Sequence, residues 1–324
     1  MKTLMQALRS ARKPGTLLLI LCLLSIWGHP AWSETIVLDQ GKRQLTVSIS
    51  EQFPEQTRDQ LNQWIKHLSH SLTLVYGHWP RDRWAIEIEP VSGSLDDPIP
   101  WAQVHREDID RVAFYVVSNT TAQTLKREWT GYHELSHLLL PYRGWGDTWF
   151  SEGLATYYQN ILQARAGVIS ETQMWQKLHD GFERGKADDR FHGQTLLQVN
   201  QKMRENGGYM RVYWSGAWYF LAADIRLREL SDGAQSLDNA LEQLNRCCAR
   251  GSLSVAAIIA QMDRGNDQDV FAQLYQQVHR SRQMPSFEPL FTHLGISVVN
   301  GVVELQQQGD AALRRRQFLN STAM

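Results

Sequence analysis

The first part of the chain alternates apolar and polar positions in short stretches, the pattern of half-buried strands. The pattern occurs at residues 35–49 (TIVLDQGKRQLTVSI) and 84–91 (WAIEIEPV), and residues 111–117 (RVAFYVV) indicate a third strand. Between the first two, the segment from Pro54 to Tyr76 predicts a helix, because apolar side chains recur there at helical spacing: Leu61, Trp64, Ile65, Leu68, Leu72 and Val75. We therefore expect a layer of strands and helix.

From Leu125 onward the pattern is largely helical. The later strand pattern lies at 296–305 (ISVVNGVVEL), where the Asn-Gly pair predicts a hairpin turn. We expect an α+β fold with an N-terminal strand-and-helix part at 34–124. A mostly helical region follows at 125–230, and a C-terminal helical region at 231–324 is expected to end in the hairpin.

The first 33 residues have the pattern of a secretory signal peptide. Basic residues precede an apolar run from Leu17 to Trp27, and Ala31-Trp32-Ser33 provides a small-residue exit. The apolar run is about eleven residues, shorter than the roughly 20 that cross a bilayer. We predict cleavage after Ser33 and a periplasmic protein. Secretion, or an inner-membrane anchor formed by an uncleaved signal, is the alternative.

Composition narrows the class of protein. The 324 residues are 43% hydrophobic and 21% charged, which excludes a disordered, collagen-like or coiled-coil chain. Without the first 33 residues, 29 basic side chains face 34 acidic ones. Such a chain has no basic excess to neutralise nucleic-acid phosphates. We expect no nucleic-acid partner, and contact with a membrane only if the signal is uncleaved.

Two cysteines follow the predicted signal peptide, and they are neighbours, Cys247 and Cys248. Adjacent cysteines pair only through a strained eight-membered ring, which adds little loop-closure stabilisation. We expect two cysteines on a helix near Leu241 and Leu244, with a redox switch as the alternative.

The chemically informative pattern is His133-Glu134-Leu135-Ser136-His137, in a segment that Pro141 is expected to close as a helix. Because His133 and His137 are four residues apart, they project from one helix face and can share a metal ion. Glu134 lies beside that ion rather than on it. This is the position of a base that acts on a water molecule at the metal.

A catalytic zinc ion needs a third protein ligand and an open position for water. The next predicted helix runs from Asp147 to Gly167 and has Glu152 near its start. A solvated glutamate there would simply favour the helix dipole. However, a carboxylate in apolar surroundings needs a partner, and the neighbours of Glu152 are apolar: Trp149, Phe150, Leu154, Ala155 and Tyr158. We predict Glu152 as the third ligand of one zinc ion per chain.

The sequence HELSH followed by WFSEGLATYY resembles the two-part signature of the gluzincin zinc metallopeptidases. Within them it is most similar to the glycyl aminopeptidase family, with the aminopeptidase N group as a more distant relative. The resemblance covers about residues 125–230 and implies a thermolysin-like catalytic domain. It also implies that His133, His137 and Glu152 bind zinc and that Glu134 is the general base.

A further stretch, VYWSGAWYFLAADIRLRELS at 212–231, resembles the helix that follows the site in this family. This resemblance implies that Tyr213 donates a hydrogen bond to the oxyanion. Read without the family, Tyr213 is an aromatic core residue beside Trp214 and Trp218.

The residues and the resemblance together indicate an exported zinc-dependent metallopeptidase that hydrolyses peptide bonds in peptide or protein substrates. The chain lacks the Gly-Ala-Met-Glu-Asn element with which the aminopeptidase N group grips a free amino end, so aminopeptidase and endopeptidase activity both remain open. Two alternatives remain: a catalytically inactive peptide- or envelope-binding pseudo-peptidase, and a zinc hydrolase of a non-peptide substrate. The sequence does not predict the oligomeric state.

Overall fold

The described part of the chain begins with a five-stranded sheet. The computed structural model describes residues 32–142, 146–264 and 268–320, so the predicted signal peptide lies outside the described residues up to position 31. The strands of the sheet are β1 (Trp32–Gln40), β2 (Arg43–Ser50), β3 (Arg83–Val91), β4 (Trp101–His105) and β5 (Asp110–Val117).

The sheet has the order β1-β2-β3-β5-β4, with parallel central pairs and an antiparallel strand at each edge. The strand pattern at 35–49 is resolved as a hairpin, because Gly41 adopts φ 62° and Gln40 pairs with Arg43. Strand β4 was not predicted from the sequence. Its residues are all partly or fully exposed, so they lack the alternation that identified the other strands.

Helix α1 (Glu55–Thr73) covers one face of this sheet, as its apolar spacing predicted. The indole of Trp64 packs edge-on against Phe114 of β5, with 5.1 Å between ring centroids. The apolar residues that predicted the helix are all buried, including Leu61 and Leu72. The strand-and-helix layer is therefore held together by a common apolar core.

The rest of the described chain is mostly helical, which confirms the α+β class. The helices after β5 are α2 (Ala122–Arg127), α3 (Thr130–His137), α4 (Thr148–Arg165), α5 (Glu171–Ala187), α6 (Leu196–Asn206), α7 (Tyr209–Leu230), α8 (Leu237–Cys248), α9 (Val255–Asp263), α10 (Val270–His279) and α11 (Glu288–His293).

Helices α4 and α7 pack closely at the centre of the helical region. A Cβ atom at Gly153 would lie 2.4 Å from the backbone of Gly216, and one at Gly216 would lie 2.1 Å from the carbonyl oxygen of Trp149. Glycine at both positions therefore permits the two backbones to approach each other.

Buried polar contacts fix the helices around this crossing. The hydroxyl of Tyr157 on α4 donates to Asp224 on α7 at 2.8 Å, and that of Tyr158 donates to Asp238 on α8 at 2.6 Å. Arg165 pairs with Asp238 at 2.8 Å. Because each buried group has a partner, the network holds α4, α7 and α8 in one arrangement.

The predicted C-terminal hairpin is present as β6 (Ile296–Val299) and β7 (Val302–Leu305), and Asn300 and Gly301 at its turn adopt φ 52° and 81°. The expectation that the region ends in this hairpin was wrong, because α12 (Asp310–Arg316) follows. Arg315 of α12 is buried and pairs with Glu171 of α5 at 2.6 Å. Because Arg315 and Glu171 are 144 positions apart in the sequence, no local pattern predicts their contact.

The expected place of the two cysteines on a helix is confirmed, and the structure pairs them. Cys247 and Cys248 form a disulfide at the end of α8. Since the bond joins neighbours, it closes no loop of chain and adds little to the stability of the fold. Among the described residues, no helix combines the length and apolar character needed to cross a membrane.

Candidate active site

Helix α3 carries the two histidines and lies against α1. A Cβ atom at Gly131 would lie 2.9 Å from the Leu68 side chain and 3.0 Å from Trp64, so glycine lets the two helices meet. The helix ends at His137, before the end that Pro141 predicted. The next three amides bond three residues back, which continues the chain as tight turns to Leu140.

Two arginines hold the end of α3 against the sheet. The guanidinium of Arg106 donates to the carbonyl oxygen of His137, and Arg81 donates to that of Leu140 at 3.0 Å. Both arginines also pair with Asp110 at the start of β5, at 2.9 Å and 2.6 Å. The last carbonyls of the helix thus receive charged donors, which are themselves fixed to the sheet.

The three predicted metal ligands come together. One ligand atom from each of His133, His137 and Glu152 lies within 4.8 Å of the others. The Nε2 atom of His133 is 3.1 Å from Oε2 of Glu152, and Nε2 of His137 is 3.7 Å from the same oxygen. Both histidines are buried, and the glutamate side chain is 20% exposed. This group is compatible with a zinc site.

The second nitrogen of each imidazole is also held. Nδ1 of His133 lies 2.8 Å from Oε1 of Gln159, and Nδ1 of His137 lies 3.1 Å from Oγ of Ser151. An amide oxygen only accepts, so Nδ1 of His133 carries a hydrogen, and Nε2 is the nitrogen that faces Glu152. A ring nitrogen facing a carboxylate needs a proton or a cation between them, so the donor set fits a zinc ion.

Glu134 lies next to this group without being part of it. Burial, reinforced by the charge of Glu152, raises the pKa of Glu134 to about 7, while His133 and Arg106 oppose the rise. A carboxyl group with a pKa near neutrality can both accept and release a proton, as a general base requires.

The carboxylate of Glu152 behaves differently. Burial alone would raise its pKa, but His137 and His133 outweigh burial and hold the pKa of Glu152 at about 2. Burial, together with the charges of His133 and Arg106, lowers the pKa of His137 to about 4, against the pull of Glu152. An ionised carboxylate beside a neutral imidazole is the protonation state that binds a metal.

Tyr213 of α7 lies on the same side of the group. Its ring is stacked on that of His133, with 6.4 Å between centroids, and its hydroxyl interacts with Glu152. Burial and the charges of Glu152 and Glu134 raise the pKa of Tyr213 well above its usual value, so the phenol keeps its proton. The structure therefore places Tyr213 beside the histidines and not within a purely aromatic core.

Three residues that shape the site were not predicted from the sequence: Gln159, Ser151 and Arg106. Gln159 is seven residues after Glu152, two turns along the same face of α4, and this spacing was a usable indication. Arg106 leaves no such pattern, because its contact with the end of α3 depends on how β4 and β5 pair.

The sequence profile of the M61 glycyl aminopeptidase family matches residues 145–219, a stretch that contains Glu152 and Tyr213. The match covers less than half of the chain and begins after the HELSH segment. No curated protein is similar enough in sequence to be matched.

Solved structures extend the likeness to about four fifths of the chain. An aminopeptidase N family protein from Idiomarina loihiensis has a TM-score of 0.61 at 16% identity, covering 82% of this chain and 50% of its own. An M1 zinc metallopeptidase from Deinococcus radiodurans has a TM-score of 0.51 at 17% identity, covering 78% of this chain and 52% of its own. Yeast LTA4 hydrolase in complex with bestatin has a TM-score of 0.50 at 12% identity, covering 78% of this chain and 40% of its own.

The chain therefore shares its fold with these metallopeptidase structures, and its resemblance to the glycyl aminopeptidase family is confirmed over residues 145–219. It spans about half the length of the first two of these structures.

Proposed function

We propose that the protein is a zinc-dependent metallopeptidase with one zinc ion per chain, held by His133, His137 and Glu152. The observation that carries this proposal is the convergence of two imidazoles and a carboxylate, with Glu134 next to the first histidine on α3. Two imidazoles and one carboxylate leave an open coordination position, which is typical of catalytic rather than structural zinc.

When bound, zinc supplies a Lewis acid that lowers the pKa of a water molecule and polarises the substrate carbonyl. Glu134 takes a proton from the water as it attacks the carbonyl carbon. The hydroxyl of Tyr213 donates a hydrogen bond to the carbonyl oxygen as negative charge develops there. Glu134 then delivers its proton to the departing amine, which breaks the peptide bond.

Peptides are the proposed substrates. The M1 zinc metallopeptidase of Deinococcus radiodurans, which shares the fold, has been crystallised with a Tyr-Ser-Ala substrate. We assign the chemistry to residues 125–230, with 34–124 and 231–324 as the sheet layer and the C-terminal helical part of the same catalytic unit. Export to the periplasm after removal of residues 1–33 remains part of the proposal.

A digest of a mixed peptide library by the zinc-loaded protein, read by mass spectrometry, tests the activity. We expect cleavage products from the unaltered protein. Glu134→Gln should keep its zinc and lose turnover on the order of 10²–10⁴-fold, because it lacks the base. The positions of the cuts distinguish aminopeptidase from endopeptidase activity.

Cleavage by Glu134→Gln at the unaltered rate would refute the mechanism. Absence of any cleavage by the zinc-loaded unaltered protein would favour a pseudo-peptidase or a hydrolase of another substrate. Loss of zinc from Glu134→Gln would show that Glu134 is itself a ligand.

A further inference from the structure

A cavity of about 410 Å³ opens beside the proposed zinc group. His133 and Tyr213 form part of its wall, whereas Glu134, His137 and Glu152 do not. The wall contributed by α5 is charged and consists of Lys177, Asp180 and Arg184. These residues are three and four positions apart, so they share one face of α5.

Close packing between α5 and α7 sets the position of this charged face. A Cβ atom at Gly181 would lie 2.0 Å from the indole of Trp214, so the ring lies directly on the helix backbone. The guanidinium of Arg184 lies over the same indole, 5.4 Å from its centroid. Since Trp214 follows Tyr213 on α7, Arg184 is held at a fixed place relative to the site.

The two cations of this face are not neutralised by the protein. Asp180 is engaged elsewhere, because its Oδ1 accepts from Gln176 at 2.7 Å and lies 3.1 Å from Nδ1 of His179. Within residues 32–142, 146–264 and 268–320, neither Lys177 nor Arg184 has an ion-pair partner. The cavity wall thus presents two positive charges and one negative charge that is already hydrogen-bonded.

We propose that this cavity binds a carboxylate of the substrate, so that the protein prefers peptides with an acidic group close to the scissile bond. The inference rests on the proposed peptidase function and adds a substrate class to it. Lys177 and Arg184 would hold the carboxylate, as cations in a groove select an anionic partner. The carboxylate can be an acidic side chain or the carboxyl end of a short peptide.

Binding of four matched peptides to zinc-loaded Glu134→Gln protein tests the inference, because this measurement does not depend on turnover. The peptides carry Glu or Gln next to the scissile bond, each with a free or an amidated carboxyl end. We expect one acidic feature to tighten the Kd about 5- to 10-fold by isothermal titration calorimetry. Tighter binding of the Glu peptides than of the Gln peptides would identify an acidic side chain as the source of the carboxylate. Tighter binding of the peptides with a free carboxyl end would identify that end as the source.

Introducing K177Q and R184Q together should remove the preference. Asp180→Asn should increase it, because one negative charge leaves the wall. Lys186→Gln serves as the matched control, since Lys186 lies on the same helix but pairs with Glu183 and Glu288 at 2.9 Å. It should leave the preference unchanged.

Equal affinity for all four peptides, no measurable binding of any of them, or a preference that survives K177Q with R184Q would overturn the inference. If the unaltered protein cleaves peptides without acidic preference, the inference fails and the peptidase function stands. If acidic peptides bind selectively but nothing is cleaved, the carboxylate site stands and the peptidase function fails.

Discussion

Tyr213 shows how one side chain can be assigned by its neighbours. The ring packs on His133, and the hydroxyl interacts with Glu152, so the polar end of the residue faces the proposed reaction centre. Tyr157 and Tyr158 also donate to carboxylates, so what distinguishes Tyr213 is that the carboxylate beside its hydroxyl belongs to a predicted metal ligand.

Tyr213→Phe removes the hydroxyl and keeps nearly all of the ring packing. Because the hydrogen bond strengthens only as charge develops, we expect unchanged zinc content, nearly unchanged KM and melting temperature, and a kcat reduced on the order of 10²–10³-fold. Steady-state kinetics checks this, with Tyr209→Phe as the control for a neighbouring ring. A kcat within about threefold of the unaltered value would make Tyr213 a packing residue.

The sequence predicted those parts of the site that are close together along the chain. His133, Glu134 and His137 lie within about one helical turn, so helical periodicity places them together. Glu152 follows on the next helix and was predicted from its apolar neighbours and the family resemblance. The residue that anchors the last turn of α3, Arg106, was not predictable. It reaches His137 through strand pairing, which no local pattern records.

At the scale of elements, the crossing of α4 and α7 carries Glu152 and Tyr213 on two different helices. The distance between these two residues depends on the close approach at Gly153 and Gly216. Helical periodicity predicted both helices, but the contact between them depends on glycines that a sequence shows only as weak helix formers.

Gly216→Ala should be strongly destabilising. Its methyl group would lie 2.1 Å from the carbonyl oxygen of Trp149, and backbone cannot move aside as a flexible side chain can. We expect a loss of about 3 kcal/mol or more in the free energy of unfolding, measured with denaturant. Gly146→Ala is the control, because a Cβ there meets nothing within 4 Å. Equal stability of the two variants would show that α4 and α7 lie further apart.

Asp110 connects the sheet to α3 through its two arginines. Burial alone would raise the pKa of Asp110, but Arg106 and Arg81 outweigh burial and lower it. A carboxyl group whose pKa is lower in the folded than in the unfolded chain stabilises the fold when the pH is above its pKa in the unfolded chain. That contribution to stability is lost as the pH falls through the pKa of the group in the folded chain.

Asp110→Asn should therefore unfold more easily by about 3 kcal/mol at neutral pH, because it removes the carboxylate charge that Arg81 and Arg106 both contact. The difference from the unaltered protein should shrink below about pH 4. Denaturant unfolding across pH, with a chelator present in every sample, measures it. Asp82→Asn, which breaks an exposed pair with Arg250, should show little effect at any pH. A pH-independent difference for Asp110→Asn would contradict the linkage.

For the molecule as a whole, the predicted processing site lies at the start of the sheet. Pairing of β1 with β2 continues from Glu34 with Ile49 to Gln40 with Arg43, so cleavage after Ser33 would leave that register in place. We expect the amino-terminal sequence of the protein purified from the periplasm to begin near Glu34. A sequence that begins at Met1 in the membrane fraction would replace export with anchoring.

The zinc content of the purified chain is the most direct test of the whole assignment. Elemental analysis should give about one zinc per unaltered chain and close to none for His133→Ala, because the remaining imidazole and carboxylate hold the ion too weakly. His179→Ala, a buried histidine outside the group, should keep its zinc. Full zinc content in His133→Ala would contradict the site and the metallopeptidase function built on it.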